Sequence, residues 1–189
     1  GLRVLVIEPD PTYEFASTPR ASGGCRVQFS CPENIDMSLF GIDFIRGFRE
    51  AMSLPGAPAE VGWVEGGYLF IVPPPQMALL EANVRVQLSR GCDVRVLTPA
   101  ELKERFPSIR ADDLGGGAWT PHDGWCDPSS LLWGFRKKAA AMGAQYVRDR
   151  VVGADVGPAG VRSLRLASGA AIVPSAVPWL SSIMANRAR

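Results

Sequence analysis

The run Leu2-Arg-Val-Leu-Val-Ile7, closed by Glu8 and then by Pro9-Asp10-Pro11, decides how the chain is read. It is short, β-branched and continuous rather than alternating, which is the pattern of a strand buried in a parallel sheet. The prolines forbid a helix directly afterwards. The strand therefore ends on an acid and passes into a loop.

Outward from that strand, Ser17-Thr18-Pro19-Arg20-Ala21-Ser22-Gly23-Gly24 and then Cys25-Arg26-Val27-Gln28-Phe29-Ser30 read as loop, with small residues that let backbone approach something flat or bulky. Met37, Phe40, Phe44 and Phe48 recur at helical spacing and predict a helix over 36–50 with these side chains as its apolar stripe. Pro55-Gly-Ala-Pro58 marks a lobe boundary. A strand is expected over 67–72 and a helix over 76–90, with Met77, Leu80, Val84 and Leu88 on one face and Gly91 as its stop. Val94–Leu97 is a short strand, and Thr98-Pro-Ala-Glu101 is a capping box that opens a short helix ending before Pro107. A strand over 115–120 follows. Asp127-Pro128 opens a helix with the stripe Leu131, Leu132, Phe135, Ala139 and Met142. Strands over 145–156, 161–166 and 170–173, separated by Gly-containing turns, predict an antiparallel meander.

Composition narrows the function. Of 189 residues, 47% are apolar and 21% charged, and twenty basic residues nearly balance nineteen acidic ones. A net charge of +1 offers no attraction to nucleic acid. No apolar run approaches the roughly 18 residues of a membrane span, and Glu8 ends the only apolar run near the start, so no signal peptide is read there. Cys25, Cys31, Cys92 and Cys126 form no CxxC pair, and His122 is the single histidine. No metal site is therefore expected, and the cysteines read as free thiols in a reducing, cytoplasmic setting. One histidine also argues against a Ser-His or Cys-His nucleophile.

The order of motifs carries more than any one of them. An acid-terminated strand, a Ser/Gly loop, Gly24-Cys-Arg-Val-Gln-Phe-Ser-Cys-Pro-Glu-Asn-Ile-Asp-Met-Ser-Leu-Phe40, Glu101-Leu-Lys-Glu-Arg-Phe-Pro107 and Asp123-Gly-Trp-Cys-Asp-Pro128 together resemble the D-amino-acid oxidase superfamily of flavoproteins, which includes sarcosine and glycine oxidases. The resemblance covers roughly residues 2–173 and looks closest to the FAD-dependent oxidoreductase domain-containing branch. It implies an α/β fold: a Rossmann-like FAD-binding domain, incomplete here, formed by 1–58 and 123–189, with an inserted α+β substrate domain of antiparallel sheet over 59–122. It implies FAD as cofactor and a small-molecule amine or amino acid as substrate, with hydride passing from the substrate to the flavin.

By position alone Glu8 is a solvated acid at a strand end; the resemblance assigns it to the adenosine ribose hydroxyls. Ser17, Thr18, Ser22, Gly23 and Gly24 resemble the loop that passes the pyrophosphate and isoalloxazine. The alternative is a surface loop of turn formers. Arg26 matches a position where some family amine oxidases carry an arginine near the flavin ring. It is the candidate catalytic residue, steadying an anionic flavin or a substrate carboxylate, against the alternative of a surface salt bridge. Val151 resembles the start of the adenine-contacting strand, or is a plain core valine. His122 reads as a loop histidine rather than a base, and Trp119 and Trp125 as packing at the lobe junction. Arg85, Arg90 and Arg95 read as surface charges, although a basic pocket built from them would suit a glycerol phosphate. The resemblance also implies a non-catalytic alternative, an FAD-holding assembly or scaffold protein, because a related branch is associated with assembly of a respiratory complex.

Two departures stand out. The sequence holds no GxGxxG, and the resemblance implies that the roughly 30-residue strand-loop-helix unit that grips the diphosphate is not in it, the expected start being the family's second strand. Pro174–Arg189 resembles no part of the family's second half. A shifted reading frame, a tag-like tail and a join across missing sequence all fit that ending. The 189 residues alone are therefore expected to be an incomplete or inactive piece that holds FAD weakly or not at all. A purified 189-residue chain should be colourless after gel filtration with added FAD. A stoichiometric flavin absorption band would refute the expectation.

Overall fold

The computed structural model describes residues 3–158 and 160–177. In chain order the elements are β1 (Leu5–Ile7), β2 (Gly24–Cys25), α1 (Pro32–Arg46), α2 (Phe48–Met52), β3 (Tyr68–Val72), α3 (Met77–Ser89), β4 (Arg95–Leu97), α4 (Pro99–Arg105), β5 (Gly116–Thr120), β6 (Gly124–Trp125), α5 (Pro128–Ala141), β7 (Gln145–Val147), β8 (Val151–Gly157), β9 (Gly160–Leu166) and β10 (Ala171–Ile172). Packing divides them into two compact units: the described residues up to Ala16 together with those from Ala139 onward, and Ser17–Lys138.

In the first unit β1 pairs in parallel with β7, Leu5 opposite Gln145 and Ile7 opposite Val147. The register continues beyond both ends, with Gln145 N–H donating to Val4 O and Glu8 N–H to Val147 O. Leu2 of the expected strand lies outside the described residues. Val4 and Leu5 remain exposed rather than buried, because β1 has one partner strand among the described residues. The stretch expected as one strand over 145–156 is two: β7 serves the parallel pair, and β8 starts the meander β10-β9-β8. Leu164 and Leu166 of β9 are buried.

The second unit carries the three-stranded antiparallel sheet β3-β5-β4 and most of the helices. Its main core gathers Val27, Ile35, Ile42, Leu80, Val84 and Ala118. A smaller cluster joins Phe48, Met52, Val61 and Cys126, with Leu131 packed against it. That cluster draws on residues on either side of position 58. The antiparallel sheet itself nevertheless lies wholly within 59–122.

Helix types and positions follow the pattern, but their buried faces differ. In α1, Met37 and Phe40 are exposed at 64% and 74%, and Ile35 and Ile42 are buried. Ile35, Leu39 and Ile42 have the same periodicity as the aromatic series and pack into the main core, while of the aromatic series only Phe44 and Phe48 turn inward, into the smaller cluster. In α3, Leu80 and Val84 are buried as expected, but Leu88 is exposed and Gln87 takes the next inward position. In α5, Phe135 is exposed, as is Met142 just beyond the helix, and Gly134 lies against Phe48, where a Cβ would stand 2.5 Å from Phe48 Cζ. The capping box of α4 is complete: Glu101 N–H donates to Thr98 Oγ1, and Thr98 N–H donates to the Glu101 carboxylate at 2.7 Å.

Gly67, just before β3, has φ +74°, and a Cβ there would lie 1.9 Å from Trp119 Cη2 on β5. Backbone conformation and space both require glycine. Gly67→Ala is predicted to lower unfolding free energy by about 2–4 kcal/mol. Urea denaturation checks this, and a loss below about 0.5 kcal/mol would show that Trp119 repacks freely.

Candidate substrate cavity and cofactor-binding segments

The segment Asp123–Asp127 is held by backbone on both sides. Gly67 N–H donates to Asp123 O at 2.7 Å, Val64 and Trp125 exchange N–H···O bonds, and Asp127 N–H donates to Val61 O. Opposite, Cys126 N–H donates to Gly23 O, and β2 pairs with β6 through Gly24–Trp125 and Cys25–Gly124. This pairing explains Gly23: at φ +77° its absent Cβ would sit 2.0 Å from Cys126 O. The glycine is required by this chain's own backbone, whatever lies on the other side of the loop.

Asp123 anchors the turn from within. It is 1% exposed, and its carboxylate accepts from Val27 N–H at 3.2 and 3.1 Å and from the Thr120 hydroxyl at 2.6 Å. Buried Gln28 donates from Nε2 to Tyr68 O at 3.0 Å and to Thr120 Oγ1 at 2.9 Å. Thr120 Oγ1 lies 3.2 Å from Tyr68 O, but its single proton goes to the shorter contact, with Asp123. Val27 is thereby fixed, and Arg26 and Gln28 on either side of it are fixed with it.

Among the described residues Arg26 makes no salt bridge. Its guanidinium carbon stands 4.7 Å from the ring centroid of Phe29, 5.0 Å from Phe70 and 5.6 Å from Tyr68. Its Nε is buried and has no hydrogen-bond partner among the described residues. Three aromatic faces stabilise the cation without occupying its in-plane donors. Arg26 borders a cavity of about 290 Å³ whose walls include Phe29, Phe70, Val72, Leu80, Val84 and Gln87. Arg26 is the only charged residue among those lining it. A partly apolar cavity with one oriented cation suits a small anion.

The other expected site residues are placed as follows. Ser17 precedes a single 3₁₀ turn, Thr18–Arg20, and makes no side-chain cap bond; Thr18 O accepts from Ala21 N–H. Ser22 is exposed. Gly24 lies in β2, where its Cβ would be 3.7 Å from the Tyr68 ring, so Gly24 and Arg26 border the same aromatic. Glu8 and Val151 belong to the other unit. Glu8 Oε1 accepts from Asp10 N–H at 2.8 Å, and the carboxylate stands at the end of the parallel pair. Val151 opens β8 opposite Leu166 and is half-buried.

These residues fit FAD in kind. Glu8 Oε2 accepts no hydrogen bond among the described residues, leaving a carboxylate oxygen for hydroxyl donors. Arg26 keeps a buried, unsatisfied donor. His122 is not part of this arrangement. It is 61% exposed, with Nδ1 2.6 Å from Glu65 and Nε2 3.6 Å from Asp93, and its backbone oxygen accepts from Arg46. Arg90 and Arg95 pair with Asp36 and Asp93 on the surface. Trp119 is buried beneath the Arg105 guanidinium at 4.8 Å, and Trp125 is half-exposed. All four cysteines are free thiols, and burial pushes Cys25 up to about 11. Among the described residues no three His, Cys, Asp or Glu side chains gather as metal ligands, and no helix is long and apolar enough to cross a membrane.

The chain belongs to the family described as FAD dependent oxidoreductase, whose profile matches residues 1–188 and whose cofactor is FAD. The FAD-dependent oxidoreductase domain-containing protein 1 of Xenopus laevis is 39% identical over 153 residues, which is 80% of this chain and 31% of that protein. The mitochondrial sarcosine dehydrogenase of Homo sapiens is 36% identical over 92 residues, 48% of this chain and 10% of that protein. The chain thus spans about a third or less of the curated relatives it matches. Among solved structures, glycine oxidase from Geobacillus kaustophilus superposes with a TM-score of 0.75 at 20% identity, over 92% of this chain and 47% of that one, which shows a shared fold.

Sequence reasoning quoted Asp123 within a motif but gave it no role, and passed over Gln28 and Gln87. For Gln87 the signal was present: it continues the inward series Leu80, Val84, Gln87. For Asp123, burial raises the carboxyl above its ordinary 3.8 despite its hydrogen bonds. An acid raised in the fold contributes stability that is fully present below the unfolded pKa and is lost as pH climbs through the folded one. The stability advantage of wild type over Asp123→Asn is therefore predicted to shrink as pH rises from about 3 towards neutrality. Urea midpoints across that range test it, and an advantage that grows with pH would mean the three hydrogen bonds outweigh burial.

Proposed function

We propose that this protein oxidises a C–N bond in an amine or amino acid. The observation that carries the reading is the Arg26 cavity: one cation, held over three rings with an unpaired buried donor, and no lining acid to neutralise it. A substrate carboxylate would dock on that guanidinium, and the apolar walls would exclude water from the neighbouring α-carbon. FAD, when bound, supplies the acceptor for the hydride that leaves the α-carbon, and the resulting imine hydrolyses. No side-chain base is required beyond loss of the amine proton to solvent.

The rest of the assignment follows. Residues 1–58 and 123–189 would serve the flavin, and 59–122, with its antiparallel sheet, the substrate. Glu8 would accept from the ribose hydroxyls. Ser17, Thr18, Ser22, Gly23 and Gly24 would run beside the pyrophosphate and ring, and backbone at Val151 would meet the adenine. Membership of an FAD-dependent family and the fold shared with a glycine oxidase support this reading.

Amino acids and secondary amines screened anaerobically against the FAD-loaded full-length protein should bleach the flavin with at least one carboxylate-bearing substrate. On that substrate Arg26→Leu should lower kcat/KM by about 10²–10³-fold, and Arg26→Lys should restore part of it. Unchanged kcat/KM in Arg26→Leu, or bleaching by amines lacking a carboxylate only, would exclude the proposed role.

A further inference from the structure

The side of α1 that faces away from the main core is aromatic and continuous with α5. Met37, Phe40, Gly41 and Phe44 fall at i, i+3, i+4 and i+7, so they share one side of the helix. Phe40 stacks on Phe44 with ring centroids 6.4 Å apart, and Phe44 stacks on Phe135 of α5 at 5.6 Å. Phe44 and Phe135 both meet the buried Phe48 edge-on. The ladder is thus rooted in the smaller core cluster and runs outward to Phe40, which is exposed together with Met37 and Phe135. Beside Phe40, a Cβ on Gly41 would meet nothing within 4 Å, so a second helix can come close there. Stacked apolar rings held at a surface mark a place where something docks.

The charges around the ladder say what fits it. Glu33 lies on the same side of α1, two turns or about 10 Å before Phe40. It makes no salt bridge among the described residues, whereas Asp36 is held by Arg90. The helix α5 carries Arg136, Lys137 and Lys138 and no acid. Lys138 follows Phe135 by three residues and so lies on its side of the helix. Its Nζ donates to Ser53 O, and it makes no salt bridge among the described residues. The face therefore has an acidic end and a basic end with the rings between them. A partner of one charge sign would satisfy one end only. A second copy, turned by a two-fold axis through the ladder, satisfies both.

We propose that this face is a homodimer interface. Phe40 of each protomer covers the Phe44–Phe135 stack of its partner, and Glu33 of each protomer pairs with Lys138 of its partner. The rings supply the affinity, and the charge pairs fix the register in which the two faces meet.

Sedimentation velocity of the FAD-loaded full-length protein over a dilution series tests this. The wild type should pass reversibly from dimer to monomer on dilution, and added salt should weaken the dimer. Phe40→Glu should raise the dimer dissociation constant by about 30-fold or more while leaving the far-ultraviolet circular dichroism unchanged, because the side chain is exposed. Glu33→Lys and Lys138→Glu should each weaken the dimer by about 5–10-fold, and the double variant should regain most of that loss, since the exchanged charges meet again across the axis. A protein that is monomeric at every concentration, a dimer untouched by Phe40→Glu, or a double variant no tighter than the single ones would overturn the proposal. In a monomer, hydroxyl-radical labelling of Phe40 tells what takes the face instead. Protection means that another part of the same chain covers it, and full labelling means that the face is open to a different partner.

Discussion

The buried carboxylate of Asp123 is the interaction on which the rest of the site depends. It accepts from Val27 N–H and from the Thr120 hydroxyl, and its own backbone oxygen holds Gly67. Three stretches far apart in sequence meet on one residue. The loop after β2 is given its path, β5 is tied to it, and the entry to β3 is fixed. Without that acceptor Val27 N–H would be buried and unpaired, at a cost of about 1–3 kcal/mol. Arg26 and Gln28, which flank Val27, would lose their frame.

From that anchor the cavity follows by packing. Val27 and Ala118 sit in the main core with Leu80 and Val84 of α3, so one wall of the cavity is a face of the core itself. Phe29, Phe70 and Tyr68 hold the guanidinium of Arg26 by their ring faces and leave its hydrogen-bonding edge unmatched. A cation stabilised this way is oriented before any ligand arrives, which lowers the cost of binding an anion. Glycine serves the same end at Gly23, where the close approach of Cys126 O allows β2 and β6 to pair and sets the direction from which the loop enters the site.

Much of this was legible in the sequence because it rests on local rules. The Thr98–Glu101 capping box, the turn-delimited meander and the start of α5 at Asp127-Pro128 are short-range signals, and each element stands where its residues place it. Arg26 was singled out through family resemblance alone, and it is one of the residues that line the cavity. What escaped was decided by long-range packing. Two stripes of equal period coexist on α1, and periodicity cannot say that Ile35 and Ile42 turn inward while Met37 and Phe40 face out. Polarity concealed Gln87, which a core would ordinarily reject, and the burial of Asp123 depends on partners 3 and 96 residues away.

The most direct measurement is a crystal structure of the FAD-loaded full-length protein with 2-aminobenzoate bound. The account predicts its carboxylate within hydrogen-bond distance of the Arg26 guanidinium, beside the ring of Phe70. A ligand bound elsewhere, with Arg26 paired to a protein acid or covered by another part of the chain, would contradict it.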